Sequence, residues 1–273
     1  MSEAMIVVAG AGLLLAGIVK GATGIGYSTC ALPFLTIALG LKQAIAIVVI
    51  PAFASNVATI WNMGNPSAVL LRFWRFYLAI GPGIAIGTAV LNVVDAASAA
   101  QLLGCLTLAY VGLAWVRPSM VLPPEMERPL ALPAGFLNGV MTGITGSQVM
   151  PLMPFFLSLP LERQEQIQAI NLAVTIASVI LAISLAHGGF LTMEVATFSV
   201  AGAAPALVGT AIGNSMARHL STVAFRHYLL ATLAILALPL LYRTTGFAVN
   251  PTSEHAPVIA NSNYGAMHVK TAN

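Results

Sequence analysis

The sequence has 273 residues, of which 58% are apolar and only 7% are charged, and its mean hydropathy is +0.91. A soluble domain needs roughly a quarter of its residues charged, so this composition excludes a water-exposed globule. The net charge of +3 comes from scattered residues rather than from a Lys- and Arg-rich run, which argues against a nucleic-acid partner. We therefore predict an all-α polytopic membrane protein in the lipid bilayer.

In chain order, ten apolar segments are separated by glycine, proline or charged residues, and each is predicted to form a helix. The predicted helices cover residues 5–19, 26–40, 43–62, 73–94, 97–116, 130–142, 147–160, 166–187, 192–214 and 223–243. In each set of five, the first two are only about 20 Å long, too short for a bilayer core of about 30 Å, whereas the other three can span it. Residues 117–129, with four prolines, are expected to form a stiff linker, and residues 244–273 a poorly ordered polar tail.

The sequence contains an internal duplication with a constant offset of 122 residues. Residues 17–24 match residues 139–146, and Gly87-Thr88 matches Gly209-Thr210 at the same offset. A constant offset over about 75 residues is difficult to obtain by chance in an apolar chain, so we predict two repeats rather than one undivided bundle.

The predicted crossings make the two repeats inverted relative to each other. The first repeat covers residues 5–116 and the second residues 130–243, and together they form a single transmembrane transporter domain over 1–243. Each repeat is predicted to contain a short helical hairpin, or two short broken helices, plus three transmembrane helices. This number of crossings is odd, and paired broken helices in inverted repeats are typical of secondary transporters.

Loop charges favour one orientation of this topology. Because cytoplasmic loops carry the excess of Lys and Arg, the more basic side is predicted to be cytoplasmic, which places both termini outside. The more basic side holds Arg72, Arg75, Arg117, Arg128, Arg163, Arg218 and Arg226, and the opposite side holds Lys42, Arg243 and Lys270.

Glycine-rich breaks interrupt the short segments of both repeats, at residues 21–26 and 143–146. Unwound backbone survives at membrane depth only where protein or a wet cavity satisfies its polar groups, and open helix ends direct partly positive N–H groups that favour an anion. Thr23 and Thr145 add hydroxyl groups, which favours a substrate role for these two residues. For glycines spaced by four residues, such as Gly21 and its neighbour one turn earlier, close helix packing is the favoured interpretation.

Lys20 is the only charged residue between Glu3 and Lys42, and it lies inside an apolar segment. It is either the counter-charge of an anionic substrate or a side chain that snorkels to the membrane interface. Asn56 and Asn171 lie on polar stripes of equivalent helices, which indicates either a lined pathway or hydrogen bonds between helices. No Asp or Glu lies centrally in an apolar segment, so the sequence shows no buried carboxylate relay for protons.

The sequence contains no motif of a catalytic, cofactor-binding or metal-binding site, so we predict that the protein is not an enzyme and needs neither cofactor nor metal. The candidate substrate-binding residues are those of the two breaks, their flanks and the two asparagines. They are Lys20, Gly21, Thr23, Gly24, Gly26, Tyr27, Ser28, Asn56, Gly143, Thr145, Gly146, Ser147, Gln148 and Asn171.

The order of these features is similar to that of a known family. The break at residues 17–26 is followed by Pro33-Phe-Leu, by a Leu-Gly-Leu turn and by Ala44 at the start of the next helix, and a degenerate copy of the break follows at 139–146. In this order, residues 8–243 resemble the sulfite exporter TauE/SafE family of membrane permeases. The resemblance implies transport of a sulfur-containing anion, such as sulfite or an organosulfonate, across a bacterial inner membrane.

The favoured hypothesis is an alternating-access transporter for a small sulfur-containing anion, in which one repeat rocks against the other around a central site. An inside-negative potential acts on each charge by about 2.3 kcal/mol per 100 mV and drives an anion outward without a coupling ion, which favours export or facilitated flux. The alternative is a proton- or cation-coupled uptake permease for another small solute, and a membrane scaffold without transport is a third hypothesis. The particular anion, the coupling ion and the oligomeric state stay open at this point.

Overall fold

The computed structural model of the protein describes residues 3–63, 66–116, 121–217 and 222–242, and these residues form α-helices joined by short connections. A helix satisfies all of its backbone hydrogen bonds within one segment, which is what an apolar environment requires. The helices are α1 Glu3–Thr23, α2 Tyr27–Leu39, α3 Leu41–Met63, α4 Ser67–Arg72, α5 Trp74–Val93, α6 Ala96–Val116, α7 Pro124–Thr145, α8 Leu152–Ser158, α9 Arg163–His187, α10 Met193–Met216 and α11 Thr222–Leu241.

Six of the described helices are long and apolar enough to cross a membrane: α1, α3, α5, α6, α9 and α10. Large apolar side chains on these helices, among them Leu15, Leu78 and Ile183, are exposed as expected for lipid-facing positions. The prediction of an all-α, multi-pass membrane protein is therefore confirmed. The opposite orientation of the two halves stays a prediction, and the predicted tail at 244–273 lies outside the described residues.

Several predicted boundaries were wrong. Helix α1 continues through Gly21 and α7 continues through Gly143, so the first segment of each half is about 21 residues long rather than a short piece. Helix α7 also begins at Pro124, inside the predicted linker, because the first turn of a helix tolerates a residue without an N–H group. Helix α4 occupies part of a predicted loop, and α8 is shorter than predicted.

Helices α1 and α10 pack with their backbones in close contact. A Cβ atom added at Gly17 or Gly21 of α1 would lie 2.4 or 2.1 Å from a backbone oxygen of α10. One added at Gly209 or Gly213 of α10 would lie 2.2 or 2.1 Å from a backbone oxygen of α1. Only glycine fits at these four positions, so the spacing of four residues serves close packing, and the contact explains why α1 stays helical through Gly21.

Helices α5 and α7 repeat this arrangement in the other half of the chain. Added Cβ atoms at Gly83 and Gly87 would each lie 2.3 Å from a backbone oxygen of α7, and those at Gly139 and Gly143 would lie 2.3 and 2.7 Å from a backbone oxygen of α5. Each tight pair thus joins one helix before the linker to one helix after it. The two halves of the sequence interlock rather than fold as separate bundles.

Helices α3 and α9 connect the two tight pairs. Helix α3 packs against α2, α9 and α10, whereas α9 packs against α3, α5 and α8. These two helices carry Asn56 and Asn171, both of which are buried. The fold therefore brings the two predicted polar stripes toward each other between the glycine-packed pairs.

Candidate functional site

The first break separates α1 from α2 at Gly24 and Gly26, whose φ angles are 82° and 88°. These left-handed conformations are accessible to glycine and costly for residues with a Cβ atom. The Gly24 N–H donates to Lys20 O at 2.7 Å and ends α1. The Thr23 hydroxyl donates locally, with Val19 O at 2.9 Å and Ile25 O at 2.7 Å as its acceptors.

The second break has matching geometry at the residues 122 positions further on. Gly146 has a φ angle of 72°, and its N–H donates to Thr142 O at 2.7 Å. The Thr145 hydroxyl donates to Met141 O at 2.7 Å and accepts from the Ser147 N–H at 3.1 Å. The sequence predicted a substrate role for the hydroxyls of Thr23 and Thr145. Both hydroxyls are instead hydrogen-bonded to the backbone, and these bonds shape the breaks.

A small cavity of about 20 Å³ lies where both breaks meet α3 and α9. A cavity needs about 10–15 Å³ to hold one water molecule, so this one is too small for an anion of several heavy atoms. Its lining residues are Ile25, Gly26, Tyr27, Ser28, Thr29, Asn56, Gln148, Met153, Ile170, Asn171 and Val174.

Lys20 lies beside this cavity with only 1% of its surface exposed. Its Nζ donates to Asn56 Oδ1 and, at 2.6 Å, to Asn171 Oδ1. Among the residues that the structure describes, no carboxylate pairs with Lys20. The burial of Lys20 and its two hydrogen bonds to asparagine oxygens contradict the snorkelling interpretation, since a snorkelling lysine would place its amine in water.

Backbone contacts fix the orientation of both asparagine side chains. Asn56 Nδ2 donates to Ala52 O at 2.6 Å, and Asn171 Nδ2 donates to Ile167 O at 2.7 Å and to Gly24 O at 2.9 Å. Because the amide nitrogens are held by carbonyl groups, both amide oxygens face the Lys20 amine. The bond to Gly24 also ties α9 to the first break.

None of the lining residues of the cavity is acidic, and two of them, Asn56 and Asn171, accept hydrogen bonds from the amine of Lys20. Helix α2 begins at Tyr27, and its N-cap residue, Gly26, offers no side-chain acceptor to the first N–H groups. N–H groups at a helix start carry the partial positive charge of the helix dipole, and the residues of this first turn, Tyr27, Ser28 and Thr29, line the cavity.

Two further polar groups of the cavity lining have no hydrogen-bond partner. The Tyr27 hydroxyl and Gln148 Oε1 are both buried without a partner, and so is the Ser147 hydroxyl in the second break. Leaving a buried polar group unpaired costs about 1–3 kcal/mol, which native structures rarely tolerate without a functional reason. The lining therefore retains unused hydrogen-bonding capacity.

The structure divides the candidate residues into four groups. Gly21 and Gly143 lie in the glycine-packed contacts and do not line the cavity, whereas Thr23, Gly24, Thr145, Gly146 and Ser147 form the breaks, and Lys20 bonds to two lining residues. The candidates in the cavity wall are Gly26, Tyr27, Ser28, Asn56, Gln148 and Asn171.

Sequence reasoning missed five lining residues. Ile170 and Val174 share a helical face with Asn171, so the 3.6-residue period of α9 was the signal for both. Ile25 and Thr29 flank candidates that were predicted. The sequence contains no comparable signal for Met153. This residue lies in α8, which begins six residues after Gly146 and is therefore separate from the second break.

Interrupted helices that meet at a buried polar cavity are typical of membrane transporters. The sequence profile described as "Sulfite exporter TauE/SafE" matches residues 8–240, so the chain belongs to this family, whose members are membrane transporters and not enzymes. No curated protein and no solved structure matches the chain.

Proposed function

We propose that the protein transports a small sulfur-containing anion, such as sulfite or an organosulfonate, across a bacterial inner membrane by alternating access. The observation that carries the proposal is the buried amine of Lys20, which is held by two neutral amide oxygens beside a cavity without an acidic residue. A buried ammonium is costly without a partner of opposite charge. An anionic substrate supplies that partner.

Two kinds of donor in the lining suit an oxyanion. The unpaired Tyr27 hydroxyl and the N–H groups at the start of α2 are donors, and the oxygens of a sulfite or sulfonate group are acceptors. Ile170, Val174 and Met153 make another part of the wall apolar, which suits a short carbon chain next to the charged group.

Alternating access requires the cavity to open on each side of the membrane in turn. Because α1 packs on α10 and α5 on α7 through glycine contacts, we expect each tight pair to move as one unit. The contacts that change are then those between the units, including the bonds from Lys20 of α1 to Asn171 of α9. For a carrier that moves the anion alone, the membrane potential drives export.

A thermal-shift assay on the purified protein tests the proposal. Sulfite, sulfate, thiosulfate, sulfoacetate and taurine are compared with chloride at equal ionic strength, and sulfonate-containing buffers are avoided because they resemble the ligand. An anion present at 100 times its Kd stabilises the folded state by about 2.7 kcal/mol, which raises the unfolding temperature by several degrees. No shift with any of these anions would contradict the proposal.

Variants locate the effect at the site. Lys20→Gln should abolish the anion-dependent shift because it removes the positive charge, whereas Lys42→Gln should retain it, since Lys42 lies over the Phe190 ring, 5.2 Å from its centroid. Thr23→Val should also retain most of the shift, because its hydroxyl bonds to the backbone. An undiminished shift in Lys20→Gln would place the anion elsewhere.

A further inference from the structure

The number of hydrogen-bond acceptors around the Lys20 amine, which is two, matches one of its two protonation states. A neutral primary amine carries two N–H groups, which Asn56 Oδ1 and Asn171 Oδ1 satisfy completely. An ammonium carries three N–H groups, so protonation adds one donor that neither asparagine accepts. The pair of asparagines therefore accommodates the neutral amine fully, and the ammonium only with a third acceptor.

We propose that Lys20 takes up a proton when the anion binds, so that each anion occupies the site together with one proton. The inference rests on the proposed anion transport and adds its coupling. The amine lone pair accepts a proton from solution on the open side, and the new N–H donates to the anion. When the anion leaves, the ammonium releases that proton and returns to its two amide partners.

Among the residues that the structure describes, the helices around Lys20 place no fixed negative charge beside it that would hold the proton in the absence of an anion. On α2, the titratable groups are the phenol of Tyr27 in the cavity wall and the thiol of Cys30, both neutral in their protonated forms. On the other helices packed against α1, and on α9, whose Asn171 bonds to Lys20, the described charged or titratable side chains lie near the helix ends. These residues are Lys42 on α3, Arg163, Glu165 and His187 on α9, and Glu194 on α10.

Only one half of the chain carries such a group. Thr142 occupies the position that matches Lys20 in the second half. Its hydroxyl donates to Ser147 O at 3.3 Å and does not take up a proton near neutral pH. The site therefore binds a single proton per anion. A monovalent anion and its proton then cross without net charge, so the direction of flux follows the two concentration gradients rather than the membrane potential.

Isothermal titration calorimetry on the full-length wild-type protein counts the protons directly. Sulfoacetate, thiosulfate and sulfate serve as ligands because their charge is constant between about pH 6 and about pH 9, whereas sulfite titrates itself. At each of several pH values in this range, each ligand is titrated in Tris, in imidazole and in triethanolamine, which lack sulfonate groups and differ in their heat of ionisation. The dependence of the binding heat on the buffer gives the number of protons taken up.

We expect uptake of up to one proton per anion and an affinity that falls by up to about tenfold per pH unit once the free amine is neutral. Lys20→Arg, which stays charged, should bind without proton uptake, and Lys42→Arg should behave as wild type. Anion binding with zero protons taken up across the whole range would overturn this inference and leave the proposed anion transport intact. No binding of any anion would overturn both.

Discussion

At the scale of single residues, the site depends on Asn56 and Asn171 being amides and not carboxylates. A carboxylate at either position would form a permanent ion pair with Lys20 and compete with any incoming anion. An amide oxygen holds the amine in place and brings no charge of its own. Asparagine and aspartate have nearly the same size and differ in one terminal group. With asparagine the site can bind an anion, whereas with aspartate it would hold a structural ion pair.

Asn56→Asp tests this distinction with little change in shape. The new carboxylate should pair with Lys20 and weaken anion binding at least tenfold, which corresponds to about 1.4 kcal/mol. The measurement is the anion-dependent thermal shift together with calorimetric affinity. Gln43→Glu is the matched control, since it adds the same charge at an exposed position of the same helix and should leave binding unchanged. Equal affinity in wild type and Asn56→Asp would refute the role assigned to the amide.

At the scale of the helices, the glycines of α1 differ sharply in their surroundings. A Cβ atom at Gly21 would lie 2.1 Å from Thr210 O, whereas one at Gly10 would have no heavy atom within 4 Å. Overpacking of this kind costs about 1–3 kcal/mol or more, because two backbones must separate. The same substitution at an open helical position costs nothing and can add up to about 1 kcal/mol of helix propensity.

Gly21→Ala should therefore lower the unfolding temperature of the purified protein by several degrees, and Gly10→Ala in the same helix should leave it unchanged or raise it slightly. Gly143→Ala should resemble Gly21→Ala, because its Cβ would meet α5 at 2.7 Å. Thermal unfolding in one detergent provides the comparison. Equal unfolding temperatures for the Gly10 and Gly21 variants would mean that the two helices can separate without cost.

The helices also show what the sequence could and could not predict. Breaks at Gly24 and Gly146 were predictable, because glycine clusters in an apolar chain are costly in a continuous helix. The continuation of α1 through Gly21 was not, because the stabilising contact comes from α10, almost 190 residues later in the chain. For the same reason, the sequence marked Lys20 and the two asparagines as separate candidates, while their hydrogen bonds, which join residues 36 and 151 positions apart, became visible only in the fold.

At the scale of the whole molecule, we propose that the helices form two units and that each unit includes helices from both halves of the sequence. One unit contains α1, α3 and α10, joined by the glycine contacts and by a hydrogen bond of 2.8 Å from the Ser199 hydroxyl to Ile47 O. The other contains α5, α7 and α9, where the Tyr77 hydroxyl donates to Ala169 O at 3.2 Å. Arg72 adds bonds of 2.8 to 3.0 Å to carboxylates of α7 and α9.

This division predicts a motion that differs from rocking of one sequence repeat against the other. Helix α3 belongs to the first half and α10 to the second, and the Ser55 and Thr210 side-chain oxygens of these helices lie 3.3 Å apart. A disulfide between cysteines at these two positions would link the halves while staying inside one proposed unit. The native cysteines Cys30 and Cys105 are free and must first be replaced by alanine.

In proteoliposomes, the Ser55→Cys/Thr210→Cys protein should transport at a similar rate when oxidised and when reduced, because the bond joins parts that move together. Rocking of whole repeats would instead have to separate α3 from α10, so the oxidised protein would be inactive and the reductant would restore flux. The cysteine-free background treated with the same oxidant controls for damage by the reagent. Flux lost on oxidation and regained on reduction would therefore contradict the two units and favour the motion of intact repeats.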